Sequence, residues 1–406
     1  MTQRVEPGRG VVVTALGATQ ILAWGSSYYL PAVLARPITV ATGWPLPWVV
    51  GGLSLGLLAA GLCSPPVGRA IERTGGRPVL ASSSALLGIG LVGLGLAPNL
   101  PSFFAAWLVI GLGMGAGLYD AAFATLGRLY GANARTAITN LTLFGGFAST
   151  VCWPLSAVFV HSIGWRGTCL AYAGLQFLLA LPIHLFLLPR LPPPRTTEPA
   201  SSGTGKTRVQ PEAPAYLDRR RSFLLLAAGL TVGSVVQSVV SVHLLTILQA
   251  RGLELAVAVS LGALVGPSQV GARVIEKLLG GRFHPIWTML VSTLLVALGL
   301  SLLWSGLPLA AVCLALYGAG AGVNSIARGT LPLALFGAHG YAVSMGQLAM
   351  PMLIAGALAP WAGAFLLERI GATGTLAVLV GLAAVNIVLM TGLLMLIRWR
   401  GTITAS

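Results

Sequence analysis

The chain has 406 residues, of which 56% are hydrophobic and only 8% charged, and its mean hydropathy is +0.87. A soluble domain carries roughly 25% charged residues, so this composition excludes an ordinary soluble globule and points to an integral membrane protein. A net charge of +15 and a pI of about 10.8 would suit nucleic-acid binding in a soluble protein, but here the basic residues cluster at the ends of apolar runs, and no nucleic-acid partner is expected.

A helix needs about 20 apolar residues to cross the hydrocarbon layer. Six candidate spans lie near 11–35, 46–68, 78–98, 101–129, 136–162 and 166–189. Six more lie near 222–249, 254–275, 285–306, 308–330, 341–364 and 372–397. The first run is too long for the apolar part of a cleaved signal peptide and reads as a retained helix. Between the sixth and seventh spans, residues 190–221 are rich in Pro, Ser, Thr and charge and read as a flexible linker. The expected organisation is therefore a six-helix bundle over 1–189, a cytoplasmic linker over 190–221 and a second six-helix bundle over 222–406. With both termini inside, 20 of the 24 Lys and Arg residues fall on the cytoplasmic side, as the positive-inside rule requires. A bacterial inner membrane is the expected location.

The four cysteines, Cys63, Cys152, Cys169 and Cys313, follow no metal or disulfide spacing. No metal and no cofactor are expected. The chain does repeat itself. RAIERTGGR begins at Arg69 and RVIEKLLGGR at Arg273, with their glycine pairs 205 residues apart. GMGAGLYDAAFATL from Gly113 and GAGAGVNSIARGTL from Gly318 share that offset. Two matches at one offset predict a duplicated six-helix unit.

The stretch Gly68–Arg77, GRAIERTGGR, resembles the signature loop of the major facilitator superfamily, with Glu72 in the position of its Asp. GWR at Gly164–Arg166 is also common in that superfamily. The resemblance implies an all-α membrane fold of twelve helices in two pseudo-symmetric bundles. It further implies that the first, fourth, seventh and tenth helices line a central cavity. Gly68, Glu72, Arg73, Gly75 and Arg77, with Glu276 and Lys277 of the second copy, are then candidates for a conformational gate. Glu72 would accept from the N-terminal amides of a neighbouring helix, where the dipole favours negative charge, and the glycine pair would permit the turn.

Ionisable groups at membrane depth are expensive and usually functional. Asp120 lies deep in the fourth span. It could take up a coupling proton, bind substrate, or pair with a basic residue lower in the bundle. Gln269 and Arg273 share a face one turn apart. Aligned by the repeated loop, Arg273 falls at the cytoplasmic rim. Aligned to the monocarboxylate and oxalate–formate branch, which GLELAVAVSLGALVGPSQVGAR resembles, it would face the cavity and clamp a carboxylate. Polar stripes occur at Gln20, Trp24 and Tyr28 in the first span and at Ser234, Gln237 and Ser241 in the seventh. Asn324 in the tenth, with Arg328 one turn further, and its offset counterpart Tyr119 complete the binding candidates.

No HExxH, nucleotide-binding loop or intramembrane His/Asp cluster occurs, so an enzyme or an ATP-driven pump is not expected. The leading expectation is a monomeric secondary transporter working by alternating access, a symporter moving a small organic anion with protons or another coupling ion. Proton-driven efflux of a drug or toxic metabolite is one alternative, and a non-transporting membrane sensor is another.

Overall fold

A computed structural model describes residues 8–190, 216–279 and 283–398. Among these residues every regular element is helical. The N-terminal set comprises α1 (Arg9–Gly25), α2 (Leu30–Thr42), α3 (Leu46–Thr74), α4 (Gly76–Leu96), α5 (Leu100–Gly117), α6 (Tyr119–Tyr130), α7 (Ala134–Gly146), α8 (Ala148–Leu175) and α9 (Leu181–Leu187). The C-terminal set comprises α10 (Tyr216–Gln249), α11 (Leu255–Gly262), α12 (Val265–Leu279), α13 (Pro285–Trp304), α14 (Ala310–Phe336) and α15 (Tyr341–Arg398). Eight helical stretches among the described residues are long and apolar enough to cross a membrane.

Four of the expected continuous spans are broken. The first divides at Ser26–Tyr29, the fourth at Leu118, the fifth at Phe147 and the eighth at Ala263–Leu264. Each break follows a glycine: Gly25, Gly117, Gly146 or Gly262. Irregular backbone at membrane depth is tolerated where surrounding protein covers it; at the first three of these glycines an added Cβ would meet Cys152, Ser83 or Arg273 at once. Two long helices instead run across the junction between two expected spans. α8 turns at Gly164 (φ 71°) and α15 at Gly371 (φ 68°), a left-handed backbone that glycine adopts without a steric penalty.

The helix α10 begins at Tyr216, ahead of the expected start at 222. Residues 191–215 of the expected linker, and Gly280, Gly281 and Arg282 of the second repeated phrase, lie outside the described residues.

The glycine runs have matching structural uses. In α5, Gly111 and Gly115 sit against backbone of α3, while Gly113 and Gly117 meet Leu87 and Ser83 of α4. In α14, Gly318 and Gly322 sit against α12, and Gly320 meets Ser292 and Val296 of α13. Ser83 donates to the Gly113 carbonyl and Ser292 to the Gly320 carbonyl, both at 2.8 Å. Small residues here let helices approach to backbone contact and form interhelical hydrogen bonds.

The two sets meet at the end that carries the Arg69–Arg77 loop, hereafter the loop end. Gly68 abuts the Ala342 carbonyl and Gly346 the Ser64 carbonyl, so α3 and α15 touch backbone to backbone. Gly127 seats the Tyr341 ring, and Gly329 seats Phe123 and Ile138. One apolar core is shared across the sets, with Phe123, Leu126 and Ile138 packed with Leu333, Tyr341 and Met345.

An added Cβ at Gly320 would lie 2.7 Å from the Ser292 carbonyl oxygen. Overpacking of this kind costs about 1–3 kcal/mol, so Gly320→Val should lower the melting temperature of purified protein by several degrees. Gly381→Ala, where a Cβ meets open space, should leave it unchanged in the same thermal-unfolding assay.

Candidate functional site

The break at Leu118 makes Tyr119 and Asp120 the first residues of a new helix, α6. A carboxylate in the first turn faces the positive end of the helix dipole. Asp120 is only 9% exposed and lies ten residues, about 15 Å along the axis, from the loop end of α6. Its partner is Arg328 of α14. The Arg328 Nε donates to Oδ1 at 3.0 Å and a terminal nitrogen donates to Oδ2. This bidentate pair joins the two helix sets. The pair gives Asp120 a cationic partner within the bundle. Arg328 is correspondingly not a rim residue, because its guanidinium is drawn into the interior by the buried carboxylate.

Arg273 is also drawn inward. It is 5% exposed, and its guanidinium is divided among three acceptors. Nε donates to the Gly322 carbonyl of α14 at 3.2 Å, one terminal nitrogen to the Thr142 carbonyl of α7 at 3.0 Å, and the other to Gln269 Oε1 at 3.4 Å. The register that put Arg273 at the rim is thus corrected: it lies between α7, α12 and α14. All three partners are neutral, and among the described residues no carboxylate pairs with it. With Arg273 and Arg328 both in the interior, two fewer cations stand at the loop end than the hydropathy reading counted.

A third link lies nearer the surface. Arg135, at the start of α7, donates to the Phe283 carbonyl at 2.8 Å. Burial lowers the Arg135 pKa, and Glu276 of α12 opposes that shift. Glu276 itself accepts from the Thr288 hydroxyl at 2.8 Å. His284 sits beside this group. Burial, then the Arg135 charge, pushes its pKa below the ordinary value, and its Nδ1 accepts from the Ile286 amide at 3.2 Å, which requires that nitrogen unprotonated.

The first-span stripe forms one wall of this region. Gln20 is buried and donates to the Gly117 carbonyl at 2.6 Å, and the Trp24 indole donates to Gln20 Oε1 at 3.2 Å. Gln20 therefore braces the break ahead of Tyr119 and Asp120 rather than facing an open cavity. Tyr28 falls beyond the end of α1, so the continuous-helix stripe does not include it, though its ring still lies 5.3 Å from Trp24. Tyr119 stacks on Phe123 at 5.1 Å and meets Trp24 at 5.0 Å. Its hydroxyl approaches the Thr142 carbonyl that Arg273 uses, at 3.4 Å.

Two candidates lie elsewhere. Gln237 and Asn324 line a separate cavity of about 30 Å³ within the C-terminal set, together with Tyr317, Ser292, Thr293 and Asn386. That is room for a water molecule, and Asn386 Oδ1 is buried there without a hydrogen-bond partner. Of the other polar groups of the α10 stripe, Ser234 donates to the Met352 carbonyl at 2.9 Å, and Ser241 is hydrogen-bonded to Tyr28 of the N-terminal set.

In the signature loop, Gly75 adopts φ 81°, Arg73 is exposed, and Arg77 reaches the Leu188 carbonyl at 3.5 Å. Glu72 departs from the expected cap, because its Oε2 is buried with no hydrogen-bond partner. Lys277 is exposed beside α1 and α7. Arg135 is the residue that sequence reasoning did not assign to the site, and Arg328 was named only beside Asn324. Arg328 had left a signal, as a cation one turn from Asn324 inside an apolar run.

The Major Facilitator Superfamily profile matches residues 15–282, and the chain belongs to that superfamily. No curated protein matches the sequence. Among solved structures, the human organic anion transporter MFSD10 (TETRAN) superposes with a TM-score of 0.74 at 16% identity, covering 95% of this chain and 100% of its own. FucP in the outward conformation gives 0.70 at 14% identity, covering 93% and 98%. A single-residue variant of the E. coli fucose:proton symporter FucP gives 0.66 at 12% identity, covering 94% and 98%. At these identities the likeness is one of fold. The protein is thus a multi-pass membrane protein of a transporter family.

Removing one member of a buried ion pair strands the other, at about 3–5 kcal/mol when burial is complete; slight exposure here puts the expectation near the lower figure. Asp120→Asn and Arg328→Gln should each loosen the loop end, seen as faster thiol labelling of a cysteine placed at Ala342. The charge swap Asp120→Arg with Arg328→Asp should slow labelling again. Separately, a His held neutral by folding stabilises at pH above its ordinary value of about 6.5, and that stability is lost as pH falls toward its depressed folded value. His284→Gln should therefore flatten part of the decline in melting temperature between about pH 7 and 5.

Proposed function

We propose that the protein is a proton-coupled secondary transporter of a small organic acid, working by alternating access through twelve passes in two six-helix bundles, with the loop end at the cytoplasm. The observation that carries this reading is the Asp120–Arg328 pair, which joins α6 to α14 across the two sets. A proton on Asp120 converts a carboxylate to a neutral acid and removes the charge that holds Arg328. Deprotonated Asp120 keeps the loop end shut, and protonated Asp120 releases it. A proton arriving from the opposite side would thus open the cytoplasmic side, which is the order a symporter needs.

The organic-acid part rests on Arg273. Its guanidinium is buried among neutral acceptors, so an entering carboxylate offers it a stronger, charge-assisted bidentate partner than any it has. Transferring Arg273 from the Thr142 carbonyl to substrate would remove a second link between the sets. Two similar folds lend support in kind: MFSD10 is described as an organic anion transporter and FucP as a proton symporter.

The test is uptake of a panel of small carboxylates by proteoliposomes under an imposed pH gradient. External acid should drive accumulation. Arg273→Gln and Arg273→Lys should reduce it by about tenfold or more, the worth of a hydrogen bond to a charged group. Asp120→Asn should abolish the dependence on the gradient. Undiminished uptake by the Arg273 variants removes the carboxylate clamp, and an unchanged gradient dependence in Asp120→Asn removes the proton site. Absence of flux for every compound tested would favour a sensor on the same fold.

A further inference from the structure

A crevice of about 640 Å³ opens at the loop end between α1, α7 and α12. Two cations flank it, Arg9 from the N-terminal set and Lys277 from the C-terminal set, and among the described residues no acidic one lines it. Arg9 is held in place by the Asn133 carbonyl and by the Tyr130 ring, 5.1 Å away, which leaves further N–H donors of its fork free. Asn140 faces the same space, and its buried Oδ1 has no hydrogen-bond partner.

The remaining lining is Thr14, Thr136 and an apolar wall that includes Leu143, Phe144 and Phe147. It continues outward along one face. Phe147, Val151 and Val158 are 45%, 48% and 59% exposed, and their spacing of four and eleven residues from Phe147 keeps them on one helical stripe. Eleven residues rise about 16 Å, close to half of the roughly 30 Å hydrocarbon core. A cationic head at one end and an apolar track one leaflet deep describe an amphipathic anion rather than a soluble one.

We propose that this crevice binds an anionic phospholipid, its phosphate between Arg9 and Lys277 and one acyl chain along Phe147, Val151 and Val158. Because its two cations come from different helix sets, the bound lipid bridges the seam that Arg273 and the Asp120–Arg328 pair also close. Lipid binding therefore favours the state in which the loop end is shut.

Native mass spectrometry of the full chain in detergent tests this with phosphatidylglycerol and phosphatidylcholine of matched chains, alongside inorganic phosphate. Wild-type protein should retain phosphatidylglycerol over phosphatidylcholine. Lys277→Gln, at an exposed position, should weaken phosphatidylglycerol binding about fivefold, and the double variant Arg9→Gln/Lys277→Gln about 30-fold, with phosphatidylcholine unaffected. Arg221→Gln, at a groove between α10 and α15, should change nothing at this site. Equal retention of the two lipids, or binding indifferent to Lys277→Gln, overturns the proposal. Inorganic phosphate displacing the lipid at comparable concentration overturns it in favour of a soluble-anion site. Binding is measured without transport, so its failure leaves the transport reading untouched.

Discussion

A carboxylate and a guanidinium withdrawn from water can persist only together. Either charge left alone in the interior costs several kcal/mol, whereas the bidentate pair recovers much of that cost. In this protein Asp120 and Arg328 reach one another from opposite helix sets, so the penalty for separating the charges is also a penalty for separating the sets. The dipole at the start of α6 adds to the hold on the carboxylate, and Tyr341, bonded to the carbonyl next to Arg328 at 2.6 Å, packs against the same region.

That contact needs the backbone around it to be thin and irregular. Asp120 stands at a helix start only because α5 ends at Gly117 and α6 begins at Tyr119, and Gln20 satisfies the Gly117 carbonyl that the break exposes. Glycines facing carbonyls at Gly68 and Gly346 bring α3 and α15 together beside it. The second interior cation, Arg273, occupies the same seam with neutral partners only. One arginine is thus neutralised by the protein, and the other is left with capacity for an anion.

The duplication is clear in packing and uneven in chemistry. Both glycine runs wedge between the second and third spans of their own set, each receiving a serine hydrogen bond on its carbonyl. The charged phrases have diverged. Arg69 and Arg73 of the first copy lie outside the apolar core, whereas Arg273 of the second is buried. Glu72 leaves a carboxylate oxygen without a hydrogen-bond partner, while Glu276 accepts from Thr288. The repeat fixes neither the breaks nor the neighbours: the first glycine-run copy breaks at Leu118 while the second runs unbroken through α14, and each copy faces a different partner across the seam.

Composition and hydropathy by themselves determined that the chain is a helical membrane protein, since so little charge cannot clothe a soluble surface. The 205-residue offset marked two glycine runs that pack alike, and burial cost singled out Asp120 and Arg273, because a charge inside an apolar run needs a reason. The breaks at Leu118 and Phe147 were hidden: the apolar runs continue through them, and with 53 glycines in the chain no single one marks a hinge. The tertiary structure alone decided that Asp120 meets a cation 208 residues away, that Arg273 turns inward, and that Gln237 and Asn324 line a different cavity. Hydropathy reports the depth of a residue along its helix, but not the direction in which the packed helix turns it, and pairing between charges depends on both.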